Sequence, residues 1–113
     1  MNRPQRNNNP VDLRFAKQTE ANGKDKDDFA TYPDAFSGWR SAHAQLRKYA
    51  RDGLTLRKMI FKFAPPKENN TNAYVDFVVS EMHVDPDILM KDLSPLALAG
   101  VMAAYEGYYV QEG

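Results

Sequence analysis

The sequence has no cysteine, which removes disulfides, thiolate metal ligands and a thiol nucleophile together. Histidine is nearly as scarce. His43 and His83 have no ligand spacing between them, so neither a metal nor any other cofactor is expected. No apolar run is long enough to span a bilayer, and the opening MNRPQRNNNP has no apolar h-region, so no membrane span and no signal peptide are expected. Synthesis would be cytoplasmic, and a target beyond the cytoplasm would require delivery. Fifteen basic and fifteen acidic residues cancel with no long block of one sign, which argues against nucleic acid as a partner. With 113 residues the chain has material for one domain around one core.

What is present is organised around Ser94 to Val110, SPLALAGVMAAYEGYYV, an apolar run with a single charged residue, Glu106. Ser94 is a good N-cap, and Pro95 fits the first turn, where its missing N–H costs nothing. Leu96, Leu98, Val101, Met102, Tyr105 and Tyr109 spread around more than one face, which predicts a helix buried on all sides. A carboxyl group on such a helix loses hydration, which favours its neutral form and raises its pKa. A general acid working near neutral pH needs that property. An ion pair with an arginine, or a helix end in solvent, would account for the same residue structurally.

The rest of the chain divides by period. Residues 1–10 are polar and read as irregular. Val11 to Phe15 alternates apolar and charged, predicting a half-buried strand. A polar loop with an Asn22-Gly23 turn signal leads to the apolar Phe29 to Tyr32, so residues 11–32 should form a small hairpin region. From Pro33 to Gly53 the period is helical, with Asp34 as cap, Trp39, Ala42, Leu46 and Tyr49 inside, and Arg40, Arg47, Lys48 and Arg51 largely on the solvated face. Thr55 caps a second helix that Pro65 and Pro66 end. A third runs from about Thr71 to His83, and a short one should open at Asp85-Pro86. The expected fold class is α+β and mainly helical: one domain, with residues 33–110 forming the helical region.

Three stretches carry a resemblance. Arg6-Asn7-Asn8-Asn9-Pro10, followed by Leu13-Arg14-Phe15, resembles the R-N-N-N-P-G-N-L-R-[FY] signature of lysozyme-like, lytic transglycosylase-like phage and bacterial proteins, a class that includes phage structural proteins. Phe63 to Tyr74 is similar to their W-A-P-P-x-E-N-[ND]-T-x-x-Y segment, and Tyr105-Glu106-Gly107-Tyr108-Tyr109 to their E-G-[FY] stretch. In many relatives E-G-[FY] precedes R-N-N-N-P. Here the order is reversed, as in a circular permutation, which requires the two ends of the chain to lie together.

The resemblance implies a small lysozyme-like domain whose partner is the peptidoglycan glycan strand, with Glu106 as the catalytic acid that protonates the glycosidic oxygen. It implies a cleft lined by Asn7, Asn8 and Asn9, with Asp12 and Gln18 beside them and Tyr74, Tyr108 and Tyr109 available to stack on sugars. Each has a structural alternative: asparagines can satisfy their own turn, and tyrosines can be core. Glu68 reads as structural, interacting with neighbouring backbone. The match fails where the family has glycines, at Val11, Lys17, Glu20 and Asp28, and Asp12 stands where the family has Asn. Two functions therefore stay open: cleavage of the glycan strand, by lytic transglycosylase or muramidase chemistry, or a catalytically silent module that binds virion proteins. Oligomeric state is left open.

Overall fold

Every α-helix of this protein starts on a side chain that accepts a hydrogen bond from the backbone N–H three residues on. The structure, a computed structural model, describes residues 1–111. The helices are α1 (Arg3–Arg6), α2 (Ala35–Arg51), α3 (Leu56–Phe63), α4 (Thr71–Met82) and α5 (Pro95–Glu106), capped in turn by Asn2, Asp34, Thr55, Asn70 and Ser94. Each such cap contributes about 1 kcal/mol. The fold is α+β and mainly helical. Its sheet is one antiparallel pair, β1 (Gly23–Lys24) and β2 (Ala30–Thr31), with Gly23 opposite Thr31 and Lys24 opposite Ala30.

The core is shared by the four longer helices and the loop before the hairpin. Leu46 of α2, Leu56, Met59 and Ile60 of α3, Tyr74 and Val78 of α4, and Leu98 and Met102 of α5 are buried in it, joined by Val11 and Leu13. α5 packs against both α2 and α4. Burying such a set of side chains contributes about 1.5–3 kcal/mol each, which makes apolar packing the dominant support of the helical region. Among the described residues no helix is long and apolar enough to cross a membrane.

Several expectations are corrected. Residues 1–10 are not irregular: Asn2 and Gln5 form a reciprocal capping box around the single turn of α1. Val11 to Phe15 is not a strand. Its burial does alternate, but Asp12 sits in the left-handed region (φ 57°), and only Arg14 pairs, as an isolated bridge to Phe29. No helix opens at Asp85. That residue closes a turn by accepting from Asp87 N (2.8 Å) and Ile88 N (3.1 Å), and the segment's only helical piece is a 3-10 turn at Met90–Asp92. Finally, α5 is not buried on all sides: Leu96 is 72% exposed, and Ala97, Ala104 and Tyr105 share the open face.

Two close approaches bring the ends of the chain to the helical region. Asn2 Nδ2 donates to the carbonyl of Gly107, the left-handed residue (φ 90°) that ends α5, at 2.7 Å. Gln5 Nε2 donates to the carbonyls of Tyr108 (3.0 Å) and Val110 (2.6 Å). The two terminal segments are therefore neighbours as far as Val110, while Glu112 and Gly113 lie outside the described residues. The second approach is at Gly38 of α2, where an added Cβ would lie 1.8 Å from the carbonyl oxygen of Asn8. Only glycine lets the asparagine segment lie against this helix.

Candidate active site

The last residue of α5 forms part of a cleft. α5 is held by Met102 and Ala103 in the core, and Gly107 turns the chain away immediately afterwards, so the carboxyl of Glu106 is left half-buried at the helix end. The cleft has a volume of about 270 Å³. Arg3, Asp12, Arg14 and Phe29 from the first third of the chain form one wall, Gln45 and Tyr49 of α2 with Lys62 and Phe63 of α3 form another, and Glu68 lies at the α3–α4 turn.

Glu106 has its pKa raised to about 7. Burial is the main cause, because the charged form loses water that nothing fully replaces. The neighbouring Tyr74 hydroxyl opposes it, the charge of Asp12 adds to it, and the charge of Arg3 opposes it again. The Tyr74 hydroxyl is buried and has no partner in well-formed hydrogen-bond geometry. It nevertheless stands close enough to Glu106 that each perturbs the other's ionisation, so the two groups are adjacent without being locked together. Burial, together with the nearby Glu106 carboxylate, pushes the Tyr74 phenol well above its ordinary value, and it remains a donor.

The second carboxylate of the cleft, Asp12, is engaged. Arg3 Nε lies 3.1 and 3.0 Å from its two oxygens, and Arg3 Nη2 lies 2.7 Å from Oδ2. This is the bidentate fork that holds a carboxylate firmly. The same guanidinium lies 3.6 Å from the centre of the Phe29 ring, and that of Arg14 lies 4.6 Å from it. Arg14 also pairs with Glu68 at 2.7 Å. Glu68 therefore finds its partner in a side chain of the opposite wall, not in neighbouring backbone as expected.

Of the residues singled out in the sequence, Glu106, Asp12 and Gln18 line the cleft together. Gln18 also ties its own loop, donating to Arg14 O (2.8 Å) and accepting from Ala16 N (2.9 Å). Asn7, Asn8 and Asn9 do not line it. Asn7 Nδ2 donates to Asp25 Oδ2 at 2.8 Å, and Asn8 Nδ2 to the carbonyl of Tyr32 at 3.2 Å. Fully buried Asn9 donates to Leu13 O and Ala30 O and accepts from Leu13 N, each at 2.9 Å. The three amides bond the fold to itself.

Tyr74, Tyr108 and Tyr109 also lie outside the lining. Tyr74 is core, stacked on Tyr105 with centroids 4.0 Å apart and edge-on to Phe63 at 6.3 Å. Tyr108 and Tyr109 pack on Trp39 at 5.5 and 6.4 Å. Missed in the sequence were Arg3, Phe29, Gln45 and Lys62. Only Arg14 carried a signal, as part of the Leu13-Arg14-Phe15 motif.

Two of the lost-glycine positions keep the backbone that glycine favours: Lys17 (φ 56°) and Asp28 (φ 69°) are both left-handed. Val11 is not among the left-handed residues. It is a buried core residue, and its neighbour Asp12 takes the unusual conformation instead. Among the described residues no group of three or more His, Asp or Glu side chains is placed to hold a metal ion. No protein-family model and no curated protein matches the chain.

Proposed function

We propose that the protein cleaves peptidoglycan glycan strands in the manner of a lytic transglycosylase, with Glu106 as a single general acid and base. One observation carries the reading: a half-buried carboxyl in a polar cleft, with a pKa of about 7, is protonated in a large fraction of molecules at neutral pH. The resemblance of Arg6 to Pro10, Phe63 to Tyr74 and Tyr105 to Tyr109 to lysozyme-like proteins supports the substrate class.

Glu106 would give its proton to the bridging oxygen as the bond from that oxygen to the sugar C1 breaks. Hydrolysis usually recruits a second carboxylate to activate water or form a covalent bond. Asp12 is clamped by Arg3 and Glu68 is paired with Arg14, which weighs against either in that role. The muramic acid 6-hydroxyl can serve instead: its oxygen bonds to C1 and its proton returns to Glu106, leaving a 1,6-anhydro ring and a free 4-hydroxyl. An internal nucleophile has the effective molarity to dispense with a second carboxylate. Tyr74, adjacent and protonated, would donate to Glu106 while the carboxylate is bare.

A second reading has its own observation. The amides of Asn7, Asn8, Asn9 and Gln18 all have partners inside the fold, so their binding a sugar is not needed to explain them, which supports a catalytically silent module. Digestion of purified peptidoglycan by the protein beside its Glu106→Gln variant, read by mass spectrometry, separates the two. Anhydro-muropeptides that vanish in the variant are expected. Reducing ends that vanish instead would mean a muramidase. No product from either folded protein would favour the scaffold.

A further inference from the structure

The zero net charge hides a segregation. Between residues 35 and 67 there are eight basic residues and one acidic residue, Asp52, whereas residues 68–113 hold eight acidic residues and one basic residue, Lys91. The basic third is α2, α3 and the turn between them. On α2, Arg47, Lys48 and Arg51 recur at three- and four-residue spacing on one exposed face, and on α3 Lys58 and Lys62 do the same. Like charges at these spacings weaken a helix. Neither helix needs them, since the cores of both are supplied by Leu46, Leu56, Met59 and Ile60.

Few of these cations are neutralised. Lys48 pairs with Asp52 at 3.0 Å, Arg40 with Glu20, and Arg57 with Asp87 at 3.1 Å. Arg47, Arg51, Lys58, Lys62 and Lys67 form no ion pair among the described residues. Lys48, Lys62 and Arg51 converge on the one local carboxylate, Asp52, whose pKa they hold down, Lys48 most strongly.

The cluster adjoins the cleft. Lys48 and Arg51 line a second, more open groove, and Gln18 and Gln45 line both this groove and the one containing Glu106. Lys62 belongs to the main cleft. A strand leaving the cleft over Gln18 and Gln45 would therefore meet Arg51, a planar guanidinium with no ion pair among the described residues and suited to forked contact with carboxylate or phosphate, and beside it Lys48, an exposed ammonium that can exchange Asp52 for an anion of the strand.

We propose that the cleft continues past Gln18 and Gln45 onto a basic subsite, built by Lys48 and Arg51, that takes an anionic group carried by the bound strand. The inference rests on the glycan reading of the cleft. The shared ligand chemistry is a carboxylate or phosphate, supplied by the peptide substituents of the strand or by a phosphate polymer attached to it.

The test is equilibrium binding with the Glu106→Gln protein, so that nothing is cleaved, comparing Lys48→Gln/Arg51→Gln with its parent. The probes are neutral chitotetraose, soluble uncross-linked glycan strands with free peptide carboxylates, and strands stripped of peptide but retaining phosphate polymer. At low salt, charged strands of at least one kind should bind about tenfold more tightly than chitotetraose, and the double variant should lose that margin while its chitotetraose affinity is unchanged. Whichever charged strand shows the margin identifies the source of the anion. An unchanged margin in the variant, or equal loss for all probes, overturns the subsite. Failure of chitotetraose to bind while charged strands still depend on Lys48 and Arg51 would overturn the glycan cleft and not the basic surface.

Discussion

The first third of this protein and the helical remainder are stabilised by different physics, and the cleft lies on their seam. From Asn2 to Tyr32 the chain has one helical turn and a hairpin of two two-residue strands, and side-chain amides stitch it together: Asn2, Gln5, Asn7, Asn8 and Asn9 all bond backbone or carboxylate. From Ala35 to Glu106 the supports are caps and apolar packing. Hydrogen bonds are directional and fail singly, whereas packing is distributed over many contacts. The polar third can therefore fix the position of Arg3 and Asp12 closely, while the helical part holds Glu106 where water is scarce.

The largest effect should come from prising the two regions apart. In Gly38→Ala the new methyl would lie 1.8 Å from Asn8 O and 2.9 Å from Pro10 Cδ, and a backbone carbonyl cannot step aside as a flexible side chain would. A loss of about 4 kcal/mol is expected in denaturant unfolding. A loss below about 1 kcal/mol would mean that the asparagine segment is not docked on α2. Asn9→Ala comes next. It removes three hydrogen bonds and leaves Leu13 N and Ala30 O buried without that partner, which should cost about 3 kcal/mol. An effect no larger than that of Asn8→Ala would refute its central place.

The helical side is probed through pH. Glu106 has a pKa raised from 4.5 to about 7, so its sign is opposite to that of a salt-bridged carboxylate. Below pH 4.5 both folded and unfolded chains hold the proton and the site costs little. Between 4.5 and about 7 the folded protein binds the proton more tightly, so stability falls as pH rises. Above that the full penalty is present, about 3 kcal/mol. Glu106→Gln should then be more stable than the parent at pH 8 by up to about 3 kcal/mol and no more stable at pH 4. Parallel stability curves for the two proteins would contradict the buried acid.

Asp12→Asn tests how the polar third tunes that acid. It removes a negative charge that raises the Glu106 pKa and leaves Arg3, which lowers it, without its partner. The alkaline limb of a glycan-cleavage profile should move down by about one pH unit. An unmoved limb would mean that burial alone sets the value.

The same division governs what the sequence discloses. Helices α2, α3, α4 and α5 are legible because an apolar period and a cap such as Asp34, Thr55 or Ser94 are local signals. The carboxyl of Glu106 is legible for the same reason, as a charge inside an apolar helix. The fate of Asn7, Asn8 and Asn9 is not legible, since an amide serves a sugar or a carbonyl equally well and partners such as Ala30 and Tyr32 are more than twenty residues away. Val11 to Phe15 misleads because burial alternates along it while Asp12 breaks the extended backbone. The basic face of α2 and α3 is written plainly in the sequence but vanishes when charges are summed over the whole chain.

The smallest effect concerns the glycine-poor loop of the first third. Lys17 is exposed, forms no ion pair among the described residues, and holds φ at 56°, where a Cβ is costly by about 1–2 kcal/mol. Lys17→Gly removes that strain but gives the unfolded chain more freedom, so the net gain should be about 0.5–1 kcal/mol, or a rise of about 3 °C in Tm. Asn8, at φ 52°, is the control: asparagine tolerates this region, and its amide bonds Tyr32 O, so Asn8→Gly should stabilise nothing. If Lys17→Gly gains stability and leaves glycan cleavage unchanged, the lost glycine is a matter of backbone strain alone. If it raises cleavage as well, the loop carrying Gln18 limits access to Glu106, and the polar third sets the width of the cleft as well as the charge inside it.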